Sequence, residues 1–182
     1  FTAESLLPFA AMNALSQGAG SDASRPWDVS RDGFVPTGGA AALLLESPEF
    51  AERRGAKPLA RLTGWGQSSD GVDKTSSHPE GNGLKRAMAN ALEDAGSRAS
   101  RIGYVNAHAT STRVGDISEA RALSHLFSRT EDCPPISSTK GITGHGLSMA
   151  GAMEAGFCSL FLNEGFIAGN AHLTEVDPAC SG

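Results

Sequence analysis

The sequence predicts an α/β fold built in layers, and three observations carry that prediction. Short apolar runs of strand length alternate with helix-patterned stretches, the order that lays helices over a sheet. Hydrophobic residues make up 40% of the chain and charged residues 19%, enough apolar material for a core and too little charge for a disordered chain. Glycine is the outlier at 22 of 182 residues, above the usual ~7%, and asks for tight turns and close backbone contacts.

The elements follow in order. Residues 6–15 are apolar, Ala-rich and made of helix formers, ending before Gly18-Ala19-Gly20. Residues 21–33, punctuated by Pro26, Asp28 and Asp32, read as an ordered loop. Residues 40–46 form a continuous apolar run, the pattern of a strand buried on both faces. Residues 48–54 read as a short helix with Pro48 at its first position and Gly55 after its end. A second strand is expected over 59–66, then a polar loop over 67–80. Leu84, Ala87, Met88, Ala91, Leu92 and Ala95 recur at i, i+3, i+4, i+7, i+8 and i+11, an amphipathic helix over 83–95 closed by Gly96. A third strand over 102–106 leads into a His-containing loop, and 116–127 returns to helical periodicity. A short strand over 136–138, a Gly-rich turn over 141–146 and a helix over 147–162 complete the alternation. The small residues of that last helix, Ala150, Gly151, Ala152, Ala155 and Gly156, let it pack closely.

Composition excludes several classes. The net charge of −5 argues against a nucleic-acid surface, which shows clustered Lys and Arg on a basic domain. Three cysteines, Cys133, Cys158 and Cys180, suit a reducing compartment better than a disulfide framework, so a cytoplasmic location is expected. No window reaches the ~18 apolar residues of a membrane span, and no secretory signal precedes residue 6. Both ends, Phe1 without an initiator Met and the untied Pro178–Gly182, read as cuts through a longer chain.

Three segments can carry chemistry. Asn106-Ala107-His108-Ala109-Thr110-Ser111-Thr112 sits where a strand ends and a loop begins, the usual place for a site in α/β folds. His108 has an ordinary pKa near neutrality and Thr110 and Thr112 offer hydroxyls, although a loop histidine with helix-capping hydroxyls has the same pattern. Next, Asp116 suits a helix N-cap with Glu119 three residues on, a relative of the capping box. Glu119 is also placed to act beside a Lys or His. Third, Lys140 and His145 flank a Gly turn ahead of a helix N-terminus, whose dipole and free N–H groups favour negative charge; this is a recipe for holding an oxyanion.

Other motif readings of the third segment are weaker. Gly144-His145-Gly146-Leu147-Ser148-Met149 breaks G-x-G-x-x-G at Met149, and no GK[ST] phosphate loop exists. A serine hydrolase built on Ser148 requires G-x-S-x-G, which the chain breaks at Ala150. A metal site would need His108, His145 and a carboxylate to converge, and nothing in the spacing demands it.

These segments together resemble a known family. Asn106–Thr112 with Gly115-Asp116 and Glu119 is similar to the N-x-H-G-T-x-T…G-D…E signature of β-ketoacyl-acyl carrier protein synthases. Residues 137–151 resemble its S-x-K-x-x-x-G-H…A-G segment. Ala23-Ser24-Arg25-Pro26-Trp27-Asp28 and Arg31-Asp32-Gly33-Phe34-Val35 resemble its A-S-R-P-F-D…R-D-G-F-V stretch. The resemblance covers nearly the whole chain and is strongest to the type I synthase of fatty-acid elongation. It implies a partial thiolase-like α/β/α/β/α fold, with residues 1–50 the end of the N-terminal ketosynthase half. Residues 51–182 would be the C-terminal half, cut before its Gly-rich loop.

The resemblance also implies a mechanism. A cysteine takes an acyl chain from acyl carrier protein as a thioester, and malonyl-carrier protein loses CO2 to a carbanion that attacks it, as in fatty-acid or polyketide synthesis. His108 and His145 would donate to the malonyl thioester oxygen, best as neutral imidazoles protonated at Nε2. Lys140 would supply positive charge with Glu119 as its partner, Thr110 and Thr112 would bind the phosphopantetheine arm, and Phe9 would lie near the acyl pocket. The phosphopantetheine arrives on the carrier, so no separate cofactor and no metal is expected; the full-length protein would be a homodimer acting on acyl and malonyl thioesters. None of the three cysteines occupies the nucleophile's motif, which would lie upstream of residue 1. A non-catalytic partner subunit that shapes a ketosynthase pocket is the alternative, and retention of His108, Lys140 and His145 speaks against it. The chain departs from the family at Ala109, which replaces Gly and adds a methyl, and at Val35-Pro36-Thr37, where Pro36 lacks a backbone donor.

Overall fold

Local capping sets where the helices begin. The computed structural model describes residues 2–73, 76–128 and 133–181. Thr2 Oγ1 accepts the Ser5 N–H and Ser5 Oγ accepts that of Thr2, a reciprocal cap that starts helix α1 at Ala3. α1 therefore spans Ala3–Ala11, upstream of the predicted 6–15, and Leu15 forms a parallel bridge with Phe34 instead. Ser47 caps α2 (Pro48–Arg53), with Pro48 at the position where its missing N–H costs nothing. Helices α3 (Asn82–Asp94) and α4 (Arg113–Leu126) pack together, and α4 starts three residues before the predicted 116. Thr112 is its N-cap residue, so Asp116 is not a cap and lies fully buried within the helix.

Two short parallel strands, β1 (Val105–Asn106) and β2 (Ile136–Ser137), pair Val105 with Ile136 and Asn106 with Ser137. The Ala107 N–H continues the ladder to Ser137 O at 2.8 Å. Short helix α5 (Lys140–Thr143) occupies the first half of the predicted Gly turn, and a 3-10 turn, Leu147–Met149, leads into α6 (Ala150–Glu164). Helices and a parallel strand pair together make the chain a partial α/β structure.

Two predicted strands do not form. Residues 40–46 and 59–66 form no regular element and join no ladder among the described residues. Leu44, Leu45 and Leu62 are 79%, 72% and 71% exposed, so these runs are the opposite of buried. An apolar run codes for burial on both faces, and burial requires neighbouring strands that the described residues do not supply. Residues 64–66 lie instead along α3, where only glycine fits: a Cβ on Gly66 would sit 2.2 Å from Ala87 O.

The interior is as much polar as apolar. Trp27, Ala107 and Ala109 form a buried cluster with Ile136, Leu173 and Cys180 against it, so the Ala109 methyl points into core rather than toward a ligand. Beside it Arg31, Asp28 and Asp116 are buried together. The Arg31 guanidinium donates to Asp28 O at 2.9 Å, Asp177 Oδ2 at 2.7 Å and Arg113 O at 3.2 Å, and its Nε lies 3.4 Å from Asp116 Oδ2. Asp116 also accepts the Trp27 N–H at 2.9 Å. Burial pushes the Asp116 carboxyl up to about 6 against that hydrogen bond and the Arg31 charge. Burial also pushes Asp28 up, but N–H groups of Thr174, Ser30 and Glu175 and the Thr174 hydroxyl outweigh it and hold that carboxyl well below the usual range. This knot ties residues 27–31, the start of α4 and residues 174–177 into one body.

Candidate active site

The parallel strands end side by side, and their ends deliver the two segments that the sequence singles out. His108 follows β1 and Lys140 follows β2, and Ser138 Oγ donates to Ala109 O at 2.8 Å to fix one loop against the other. Gly144 then turns the chain at φ +66. A Cβ there would lie 2.8 Å from Val35 O, so the turn requires glycine for both its angle and its room. His145 emerges paired with residues 35–37: its N–H donates to Val35 O at 2.8 Å and its carbonyl accepts from Thr37 N at 3.1 Å. This pairing uses neither backbone group of Pro36, which explains why the proline is harmless.

The rings of His108 and His145 meet edge to face, with centroids 5.1 Å apart and planes at 88°. Phe34 packs edge-on to His145 at 5.2 Å, and Phe9 edge-on to Phe34 at 5.4 Å. Phe9 is thus two rings away from His145. Desolvation, then the Lys140 charge and His145, bring His108 down to about 4; desolvation and Lys140 do the same to His145. His108 keeps an exposed side, which softens its desolvation, but the Lys140 charge acts in the same direction and both imidazoles are neutral at pH 7. His145 Nδ1 is buried with no hydrogen-bond partner. An orphaned lone pair there costs less than an orphaned N–H, which favours the tautomer with the proton on Nε2.

Lys140 is fully buried, and its ammonium is bound by Glu154 of α6. The expected partner, Glu119, is elsewhere: its carboxylate accepts the His108 N–H at 2.8 Å and the Ala109 N–H at 2.6 Å. Glu119 thus clamps the backbone under His108. Burial pushes its carboxyl up to about 7 despite those two bonds, with Asp116 adding and Lys140 opposing. Glu154 is the residue that sequence reading missed. Its signal was present, as a lone carboxylate in the otherwise small and apolar run 150–156.

Thr110 and Thr112 share a hydroxyl hydrogen bond of 3.0 Å. A cavity of about 180 Å³ opens beside them, lined by His108, Thr110, Glu119 and Asp70 and by Leu84 and Ala87 of α3. Asp70, also outside the sequence expectations, accepts the N–H groups of His78 and Gly83 and so closes the 67–80 loop onto α3. No cysteine is activated: desolvation raises Cys158 and lifts Cys180 to about 11, and Cys133 is exposed. Ser148 is exposed and makes no hydrogen bond to either histidine, so the hydrolase reading has no base. Among the described residues no three His, Cys, Asp or Glu side chains gather to hold a metal ion.

The chain is similar to known proteins in sequence and in fold. The family model described as "Beta-ketoacyl synthase, C-terminal domain" matches residues 59–174. The chain is 41% identical over 173 residues to 3-oxoacyl-[acyl-carrier-protein] synthase 2 of Staphylococcus aureus, covering 94% of this chain and 43% of that one. A crystal structure of a beta-ketoacyl synthase from Burkholderia phymatum superposes with a TM-score of 0.92 at 40% identity, covering all of this chain and 44% of that one. A type II polyketide ketosynthase solved with its acyl carrier protein gives 0.94 at 32% identity, covering 99% of this chain and 45% of that one. The chain thus spans less than half the length of these relatives, and the fold it carries is a part of the thiolase-like α/β fold they share. Motifs, fold and match agree that the chain belongs to the beta-ketoacyl synthase family and carries its C-terminal domain.

Proposed function

We propose that this chain is part of a 3-oxoacyl-acyl carrier protein synthase and provides the side of the site that handles the malonyl thioester. The observation that carries this is the pair of neutral imidazoles at 5.1 Å beside a buried lysine. In the reaction, the bond from the malonyl α-carbon to its carboxylate breaks and CO2 leaves. The electron pair passes into the thioester as an enolate, whose oxygen accepts Nε2–H from His108 and His145. The α-carbon then attacks an acyl thioester, and the thiolate that carried the acyl group departs. Neutral N–H donors suit an oxygen that gains its charge only as CO2 leaves, because they hydrogen-bond the developing enolate more strongly than the ground-state carbonyl. Lys140 keeps both rings neutral and adds positive potential, held in place by Glu154; Glu119 fixes the His108 backbone.

Thr110, which lines the cavity, and Thr112, which shares its hydroxyl hydrogen bond, are assigned to the phosphopantetheine arm, which arrives on the carrier, and Phe9 to the acyl end. The acyl-accepting thiol is a cysteine other than Cys133, which lies exposed away from the nucleophile's motif, and other than Cys158 and Cys180, whose thiols burial pushes up. The same reading divides the chain near residue 50 into the end of one ketosynthase half and the start of the other, which the match beginning at 59 supports. It also takes the full-length protein as a cytoplasmic homodimer acting on acyl and malonyl thioesters; no helix among the described residues is long and apolar enough to cross a membrane. A non-catalytic partner subunit has no use for the conjunction of His108, Lys140 and His145. In the full-length protein, His145→Ala is expected to abolish release of CO2 from malonyl-carrier protein, and wild-type release would sink the assignment.

A further inference from the structure

The turn that carries His145 is fastened to residues 35–37 by main-chain bonds, and those bonds stop at Thr37. Among the described residues no further main-chain bond joins residues 38–40 to residues 144–149. The turn also holds strain: Leu147 has φ +53, a left-handed conformation that a bulky residue keeps only where its surroundings impose it. What continues the seam beyond Thr37 is a side chain. Met149 closes the 3-10 turn through its N–H to Gly146 O at 3.3 Å, and its thioether lies against two glycines at once. A Cβ added to Gly39 would stand 2.8 Å from Met149 Cε. One added to Gly146 would stand 2.9 Å from Met149 Sδ, 3.2 Å from Cγ and closer still to Cε. Positions 39, 146 and 149 therefore share one volume with room for a single side chain, and Met149 supplies it. Gly146 is buried and Met149 half-buried, whereas Gly39 lies at the surface. An unbranched thioether suits such a gap, because its free torsions let it follow an irregular wall.

We propose that Met149 is a positioning residue for His145: its side chain pins residues 38–39 to the turn and so fixes the direction in which the imidazole donates. This rests on the proposed function, in which His145 donates to the enolate oxygen. Met149 acts through the backbone on either side of that ring, at Gly146 next to it and at Gly39 beyond the paired residues 35–37. A donor displaced by a fraction of an ångström stabilises a developing charge less while leaving substrate binding almost as it was, so the loss falls on turnover. His108 is held separately, by the Glu119 carboxylate under its backbone and by Ser138 Oγ on Ala109 O. The two imidazoles therefore respond differently to a change at position 149.

The test uses the full-length synthase, with release of CO2 from malonyl-carrier protein and NMR of isotope-labelled histidine rings as its two readouts. Met149→Ala empties the shared volume. It is expected to lower kcat about tenfold with KM little changed, and to move the His145 ring signals more than those of His108. Met149→Leu keeps most of the volume and should stay within about twofold of the wild-type kcat. Gly146→Ala drives a methyl into the thioether and should lower kcat by itself. Gly146→Ala/Met149→Ala refills the gap from the other side and should recover part of the rate, so that the two changes are not additive. A wild-type kcat in Met149→Ala overturns the proposal, as does a loss in which both histidines shift equally, since that marks Met149 as packing alone. Losses that multiply in the double variant overturn it too. If the wild type releases no CO2, the functional reading fails, and Met149 is then judged by the ring signals. Unmoved His145 signals in Met149→Ala overturn its role there.

Discussion

Lys140 governs the electrostatics of the site at the scale of single residues. Its charge is taken out of water and, among the described residues, is paired with Glu154, and it acts on both imidazoles. In NMR titration His108 and His145 are expected to protonate near pH 4, well below an ordinary histidine, so decarboxylation should show no limb near pH 6.5 from either ring. Lys140→Met removes one of the two depressing influences and should move both titrations upward; unmoved titrations would assign the depression to desolvation alone. Glu154→Gln strands the buried ammonium and is expected to cost about 3 kcal/mol in chemical denaturation. The motif residues were legible in sequence because each belongs to a contiguous run that can be read without folding it. The partners of those residues were not. Nothing in the spacing says that Lys140 reaches fourteen residues ahead into α6 rather than back to Glu119, because that choice depends on how α6 packs against the strand ends.

Elements differed in how far local signals determined them. α2 and α3 were legible almost to their ends, since Ser47-Pro48 and the apolar period of 84–95 act within one helix. The runs at 40–46 and 59–66 carry a strand's composition, yet a strand exists only with a neighbour, and composition says nothing about which neighbour is at hand. The 23–35 segment was legible as a motif but not as the polar knot it becomes. Arg31→Ala leaves Asp116 buried without its cation and is expected to destabilise the protein by about 3–5 kcal/mol, measured by denaturant midpoint. Gly66→Ala forces a methyl onto the backbone of α3 and should cost about 1–3 kcal/mol by the same measurement, while an exposed change such as Glu93→Ala should cost little.

The buried titratable groups pull the stability of the whole molecule in opposite directions. Asp116 and Glu119 have folded pKa values raised from 3.8 to about 6 and from 4.5 to about 7, so the native state binds more protons than the unfolded chain in those windows. Their contribution is present at low pH and lost as pH rises from about 4 to 7. His108 and His145 are lowered from 6.5 to about 4, so the native state binds fewer protons there and stability falls as pH drops through that range. The two pairs oppose each other between pH 4 and 6.5. The double variant His108→Asn/His145→Asn should therefore leave a stability that declines steadily from pH 4 to 7; a flat profile would mean that the two carboxyls titrate at ordinary values.

The bridge between residues 35–37 and His145 has a consequence for how such proteins change over generations. His108, Glu119, Lys140, His145 and Glu154 all lie between residues 108 and 154, whereas Phe9 and Phe34 come from the first forty residues. Recombination within the 67–80 loop would transplant the charge machinery whole and exchange the aromatic wall facing it. The bonds through Val35 and Thr37 are main-chain bonds and do not depend on side-chain identity, but the contacts of Trp27, Asp28 and Arg31 with α4 and residues 174–177 cross the same seam. An exchange of the aromatic wall therefore succeeds only where those three residues are inherited with it.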